Sequence, residues 1–138
     1  MALPENKFTC VSNLWLRQMV FKNKGDRNEQ HTHNYDHITL LTTGSVKVTV
    51  DDVSTEFTAP QMIYIKQGKQ HFIEALEDNT IAFCVHALRD KDTGDILAQD
   101  QIPLGVDAFA IGMAKSLACK DVTFLVKEVL PFKAYIYE

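Results

Sequence analysis

Residues 25–44 of this chain read GDRNEQHTHNYDHITLLTTG, which places three histidines between two glycines. In an extended strand, residues two apart point to the same face, so His31 and His33 can reach one ion with Cα atoms about 6.6 Å apart. His37 has the same parity, but a straight strand would place it about 13 Å from His33, too far to share that ion. The stretch therefore predicts a metal site that requires a bend at residues 34–36, where two turn-forming residue types stand.

The segments around this stretch are short runs rich in Val, Ile, Thr and Phe, separated by Gly, Asn, Asp and Pro. This rhythm is typical of an all-β sandwich or barrel. In residues 45–50, valine alternates with polar residues, which predicts one buried and one solvated face. The predicted strands are Trp15–Lys22, His37–Thr43, Ser45–Val50, Val53–Thr58, Met62–Lys66, His71–Leu76 and Thr80–Leu88.

The spacing around the histidines resembles the first motif of the cupin family. That motif has a Gly, five residues, His-x-His, three or four residues, a Glu, six residues and a Gly. Gly25, His31, His33, His37 and Gly44 meet the spacing at every step, with His37 where the family usually has Glu.

A partial match to the second cupin motif follows after a short gap. Gly68 and His71 match its glycine and histidine, whereas the residues at three other motif positions differ: Pro60, Lys66 and Ala75. Two motifs in the right order and separation are more specific than either alone. The resemblance covers about residues 15–88 and implies a jelly-roll β-barrel with one metal ion in its wider mouth, bound by His31, His33, His37 and His71.

The chain is therefore expected to form a single all-β cupin domain over residues 1–138. Its barrel core should span about residues 14–88, followed by a C-terminal extension, residues 89–138, that is partly helical. Asp107 can cap a helix in which Phe109, Met113 and Leu117 recur at helical spacing. Residues 122–126 alternate like a strand but could also continue that helix.

Composition and charge favour a small-molecule partner. The chain of 138 residues carries a formal net charge of -4, which argues against nucleic acid or an anionic membrane as partner. Cys10, Cys84 and Cys119 are odd in number and lack CxxC spacing, so we expect neither disulfides nor a thiolate zinc site, and a reduced, cytoplasmic setting. Residues 1–8 lack the apolar core of a signal peptide. The resemblance to cupins also implies a homodimer.

A histidine in place of the usual glutamate changes the expected chemistry. The neutral ligand leaves a divalent ion its full charge and removes a possible base from the site. Imidazole ligands suit Fe(II), Ni(II), Cu(II) and Zn(II), and we expect Fe(II) first, with Ni(II) or Zn(II) next. Parity also turns Glu74 and Asp36 away from the ion, because His71 and His37 are expected to face it.

Few other polar residues are candidates for a role in the site. Tyr35 and Tyr64 are candidate polar groups near the ion, whose hydroxyls could hydrogen-bond a substrate. A tyrosine on a strand more often packs in the barrel with its hydroxyl already hydrogen-bonded. Arg17 could hold a substrate carboxylate, but a solvated strand face explains it equally well. His86 could line the barrel, but a strand histidine is more often simply buried and hydrogen-bonded.

Three functions fit these sequence features. An all-histidine site without a base favours a dioxygenase-type oxidation of a small metal-chelating substrate, as in the three-histidine cupin dioxygenases that the site resembles. A non-catalytic cupin that binds a small molecule or a metal, such as a sensor, fits the missing acid or base equally well. A metal-assisted isomerase or lyase would require a base close to the ion.

Overall fold

The computed structural model describes residues 2–11, 13–28, 36–90 and 93–98, and these residues form eight β-strands. Each is a short extended run ended by a turn or a loop, as the Gly, Asn, Asp and Pro punctuation of the sequence predicts. The strands are β1 (Glu5–Val11), β2 (Leu14–Phe21), β3 (His37–Thr43), β4 (Ser45–Val50), β5 (Val53–Thr58), β6 (Gln61–Ile65), β7 (His71–Ala75) and β8 (Thr80–Ala87).

The strands form two antiparallel sheets. One sheet has five strands in the order β1-β2-β8-β3-β6, and the other has three in the order β5-β4-β7. The strands predicted from the sequence are confirmed to within one residue at each end. β1 was not predicted, because the run ENKFTCV begins with polar residues, yet it pairs with β2 along its whole length.

The two sheets share one hydrophobic core. On β2 and β8 every second residue is buried, so one face of each strand is directed inward. Inward side chains from both sheets form one buried cluster: Phe8, Trp15, Met19, Phe21, Leu41, Val46, Val48, Ile63, Ile65, Ile73, Ala75, Ala82, Cys84 and Leu88. The alternation in β4 that the sequence predicts is part of this core.

Gly44 makes the tight connection between β3 and β4. Its φ is +85°, a region that residues with a Cβ rarely adopt. A Cβ at this position would also collide with Thr80, which is buried at the start of β8. The glycine is therefore required by close approach of the backbone, in addition to matching the sequence motif.

The segment Gly25–Asn28 runs alongside β7. The Gly25 N–H donates to the Ala75 carbonyl at 2.8 Å, and the Asn28 N–H donates to the Ile73 carbonyl at 3.1 Å. The side chain of Asn28 is buried, and its Oδ1 accepts a hydrogen bond from the Ile73 N–H at 2.8 Å. These bonds fix the point where the chain enters the histidine-rich stretch.

The described part of the extension is short. Arg89 and Ile96 form an isolated β-bridge, and the Leu97 N–H donates to the Leu88 carbonyl at 2.9 Å. The predicted helix from Asp107 lies outside the described residues. In the part of the chain that is described, no helix is long and apolar enough to cross a membrane.

Candidate functional site

His37 and His71 come together inside the barrel from opposite sheets. His37 begins β3 in the five-stranded sheet, and His71 begins β7 in the three-stranded sheet. Their exposed fractions are 5% and 2%, and their ring centroids lie 5.4 Å apart at an interplanar angle of 41°. The fold thus juxtaposes two buried imidazoles that are far apart in sequence.

The spacing of these two rings fits a shared metal ion. Two imidazoles bound to one ion at about 2.1 Å have ring centres about 4.5–5.5 Å apart for bond angles of about 90–120°. In His71, Nδ1 lies 2.9 Å from the Lys69 carbonyl, which can only accept, so Nδ1 carries the proton. Nε2 of the neutral ring then has the lone pair that a metal ligand needs, an arrangement common among metal-binding histidines.

A third histidine lies next to this pair in the strand ladder. β3 and β8 pair through Ile38 and Val85, so the next inward positions on these strands are His37 and His86. His86 is buried, its Nδ1 lies 2.8 Å from the Ala87 carbonyl, and its ring stacks on Trp15 with centroids 4.5 Å apart. Burial lowers the pKa of His86 below its ordinary value.

The structure confirms the expected buried, hydrogen-bonded histidine at His86, and its place beside His37 also makes it a functional candidate. Because the Ala87 carbonyl only accepts hydrogen bonds, Nδ1 of His86 is the protonated nitrogen and Nε2 carries the lone pair. The neighbouring Trp15 is buried as well, and its Nε1–H has no hydrogen-bond partner among the residues described. In the sequence, the only signal for His86 is its position on β8, where alternation makes every second residue point inward. Its place beside His37 depends on how β8 pairs with β3.

A further polar row lies one step deeper in the barrel. Arg17 pairs with Cys84 across β2 and β8, and Cys84 pairs with Thr39 across β8 and β3. Arg17 is 3% exposed, so its strand face is not solvated, and its Nε donates to Asn6 Oδ1 at 2.8 Å. Burial raises the pKa of the Cys84 thiol, whose sulfur lies 3.6 Å from the Thr39 hydroxyl.

The parity predictions for the carboxylates are confirmed. Glu74 points outward and forms an ion pair with Lys47 at 3.5 Å, while its neighbours on β7, Ile73 and Ala75, are buried. Asp36 is exposed and accepts a hydrogen bond from the Gln67 N–H at 2.8 Å, which lowers the pKa of its carboxyl group. Neither carboxylate lies inside the barrel.

Tyr64 is not retained as a site residue. It is 63% exposed on the outer face of β6, whereas its neighbours Ile63 and Ile65 point inward. Its hydroxyl hydrogen-bonds the outward-pointing carboxylate of Asp36. The expectation of a polar group near the ion at Tyr64 was wrong, because its parity on β6 is opposite to that of the buried residues.

The remaining predicted site residues, His31, His33 and Tyr35, lie outside the described residues. Within residues 2–11, 13–28, 36–90 and 93–98, no three His, Cys, Asp or Glu side chains form a group that could hold a metal ion. The segment with His31 and His33 starts after Asn28, which is bonded to Ile73, and ends before Asp36, which precedes His37. Both of its ends are therefore held beside the strands that carry His37 and His71.

Comparison with known proteins finds similar structures only. No protein-family model matches the sequence, and no curated protein matches it. An RmlC-like cupin family protein from Methanocaldococcus jannaschii, with a double-stranded β-helix fold, has a TM-score of 0.56 at 14% identity over 62% of this chain and 80% of that one. KdgF from Halomonas sp. has a TM-score of 0.51 at 18% identity over 59% and 76%. The conserved protein SPY1581 of unknown function, from Streptococcus pyogenes, has a TM-score of 0.52 at 19% identity over 59% and 72%.

Proposed function

Because this chain has the cupin fold, a double-stranded β-helix barrel, we propose that it holds one divalent transition-metal ion with His31, His33, His37 and His71. We further propose that this site oxidises a small metal-chelating substrate with dioxygen. The observation that carries the proposal is the buried convergence of His37 and His71 from opposite sheets. Fe(II) is the favoured ion, with Ni(II) or Zn(II) next, because all four ligands are imidazoles.

The residues of the chain have separate roles in this site. The Lys69 carbonyl fixes the His71 ring with Nε2 as its ligand atom. A divalent ion held there would supply Lewis-acid chemistry and, if it is iron, redox chemistry. Buried apolar neighbours such as Ile65 and Ile73 limit the access of water, which strengthens polar interactions with a bound substrate.

Metal content tests the ligand set directly. We expect the purified protein to hold one transition-metal ion per chain, and His31→Ala, His33→Ala, His37→Ala and His71→Ala to lower this content. His86→Gln is the matched control, since it changes a buried histidine that is outside the proposed ligand set. Full metal content in the His37→Ala and His71→Ala variants, confirmed to be folded by circular dichroism, would contradict the proposal.

Oxygen uptake tests the reaction. We expect the protein reconstituted anaerobically with Fe(II) to consume oxygen when mixed with a diketone, a thiol or a flavonol, all of which can chelate the ion. The His71→Ala variant treated in the same way is the control for free iron. Metal retention without turnover in any of these mixtures would favour a binding protein over an oxygenase.

A second candidate function, a metal-assisted isomerase or lyase, is favoured by His86. Its Nε2 lone pair and its lowered pKa give the site a neutral base beside His37. We expect such an enzyme to exchange a substrate C–H proton with deuterated solvent in the absence of oxygen. His86→Gln should abolish this exchange and keep the metal, whereas exchange that persists in His86→Gln would exclude His86 as the base.

A further inference from the structure

The five-stranded sheet carries many apolar side chains on both of its faces. Alternation places one set of its residues in the barrel core and the other set on the outside. Most of the outside set on four of its strands is apolar and forms a surface that we call the outer apolar face: Leu14, Leu16, Val20, Ile38, Leu40, Met62, Ile81, Phe83, Val85 and Ala87. The polar residues Gln18, Thr42 and Tyr64 lie among them. Exposed apolar side chains that cluster on one face of a sheet are typical of a surface that another segment or molecule covers.

The central strand β8 shows the same feature in its sequence. It reads TIAFCVHA, in which nearly all residues on both faces are apolar, a composition typical of strands covered on both sides. Its inner residues are buried, but its outer residues Ile81, Phe83 and Val85 are only half-buried. On the neighbouring strands Ile38 is 43% exposed and Met62 is 74% exposed.

The three-stranded sheet has a different outer surface. Lys47 and Glu74 form an ion pair there, and the hydroxyl groups of Thr49 and Ser54 lie 2.8 Å apart. Polar groups of this kind are well solvated and need no cover. The need for a partner surface is therefore confined to one sheet.

The chain leaves the described structure at the end of this apolar sheet. Leu97 packs against the core and bonds to the Leu88 carbonyl, while the Asn13 side chain donates to the Leu97 carbonyl at 3.1 Å. Leu88 in turn donates to the Asn13 carbonyl at 2.7 Å, next to the Leu14–Ala87 pair that ends the outer apolar face. The chain therefore departs from one margin of that face.

Residues 99–138 have a composition that suits this face. More than half of them are apolar, including Phe109, Met113, Phe124 and Phe132. The face spans roughly 14 Å across the four strands that contribute to it and roughly 23 Å along β8. A segment as long as residues 99–138 can cross it more than once.

We propose that residues 99–138 pack on the outer apolar face of the same chain. We favour this segment over a second copy of the chain as the partner surface. The segment is covalently linked to the sheet and therefore acts at an effective concentration of about 1 mM or more. The inner core is already filled by fully buried side chains, so this face is the large apolar surface left within the described residues. The inference is independent of the metal site.

Cross-linking of the unaltered full-length protein tests the packing. An equal mixture of 14N- and 15N-labelled protein is treated with an amine-reactive cross-linker. We expect Lys115, Lys120, Lys127 and Lys133 to link to Lys7, which projects outward from β1, at least several times more often than to Lys47 on the other sheet. Equal linkage to both lysines would overturn the proposal, and so would links formed mainly between 14N and 15N chains, which indicate a second copy.

Hydrogen exchange gives a second readout. We expect Phe83→Asp to speed amide exchange in residues 99–138 on the order of tenfold or more, because it places a charge in the apolar contact. Phe72→Asp is the matched control on the outer side of the three-stranded sheet, and it should leave exchange in this segment unchanged. Unchanged exchange in Phe83→Asp, or an equal increase in both variants, would overturn the proposal.

Discussion

The two ends of the barrel interior differ in chemistry although the same strands build both. One end, which we call the histidine end, has the inward row Trp15, His86, His37 and Ile65 on the five-stranded sheet, which His71 faces from the three-stranded sheet. The other, the apolar end, has mainly apolar inward residues, among them Met19, Phe21, Leu41, Val46, Ala75 and Ala82. Stability and binding chemistry are thus segregated along the strands.

The difference between the two ends shows how a small barrel can contain a buried polar site. Burial of a polar group costs free energy unless a hydrogen bond compensates it, and the histidine end provides such bonds through the Lys69 and Ala87 carbonyls. The polar groups buried at the apolar end are bonded as well, since the Thr80 hydroxyl donates to the Glu77 carbonyl and Asn28 Oδ1 accepts from the Ile73 N–H. Its largest side chains, Phe21 and Met19, are fully buried. We therefore expect the apolar end to hold the fold while the histidine end performs the function.

The largest expected effect on stability is at the apolar end. Phe21→Ala should lower the free energy of unfolding by about 3–5 kcal/mol, because it removes a fully buried ring and leaves a cavity. Urea denaturation of the metal-free protein measures this loss. A loss below about 1 kcal/mol would show that the apolar end does not carry the stability assigned to it.

The histidine end should respond in the opposite way. His37→Leu should abolish metal retention, yet leave the metal-free unfolding free energy unchanged or raise it by at most about 2 kcal/mol, since an apolar side chain replaces a buried imidazole. Denaturation in the presence of a chelator, together with metal analysis, checks both parts. A strong loss of metal-free stability would mean that both ends contribute alike.

The pH dependence of stability should also originate at the histidine end. The folded pKa of His86 is lowered, so below its unfolded pKa of about 6.5 the unfolded chain binds protons that the folded chain does not. Stability therefore falls as the pH drops below about 6.5, with a slope of at most about 1.4 kcal/mol per pH unit from this group.

The His86→Phe variant isolates that contribution. It keeps an aromatic ring on Trp15 but cannot take up the proton. We expect metal-free His86→Phe to lose less stability than the wild type between pH 7.5 and pH 5.5, measured by urea denaturation at each pH. Identical slopes in the two proteins would rule out His86 as the source.

The smallest effect is expected outside the barrel interior. Lys47→Ala removes the partly exposed ion pair with Glu74 and should change the unfolding free energy by at most about 0.5 kcal/mol. The same urea titration provides the measurement. A larger change would indicate that the outer side of the three-stranded sheet contributes to stability beyond a solvated ion pair.

Local sequence patterns predicted most of the strands because each pattern is a local property. Alternation in residues 45–50 and the turn residues between strands are sufficient to place strand ends to within one residue. β1 was missed because its polar start gives no alternation, and it becomes a strand through pairing with β2. Partner strands, which supply that pairing, are not visible in a local window.

The candidate site was only partly predictable. Spacing and parity indicated that His37 and His71 face inward, and both do. The same reasoning assigned Tyr64 as a candidate to bind substrate, and it favoured a purely structural role for His86. Which face of a strand points inward depends on its register with the neighbouring strands. Tyr64 is adjacent to the buried Ile65, so the two side chains point to opposite faces of β6.

The sequence by itself determined the all-β class, the limits of β2 to β8 and the histidine spacing, because hydrophobic alternation and turn chemistry act over a few residues. Only the tertiary structure decided that His37 and His71 meet from opposite sheets, that His86 lies beside His37 on the neighbouring strand, and that Arg17 is buried. These facts depend on strand order and register, which are set by contacts between residues far apart in the chain. The tertiary structure also revealed the apolar outer face, since a surface exists only once strands are placed side by side.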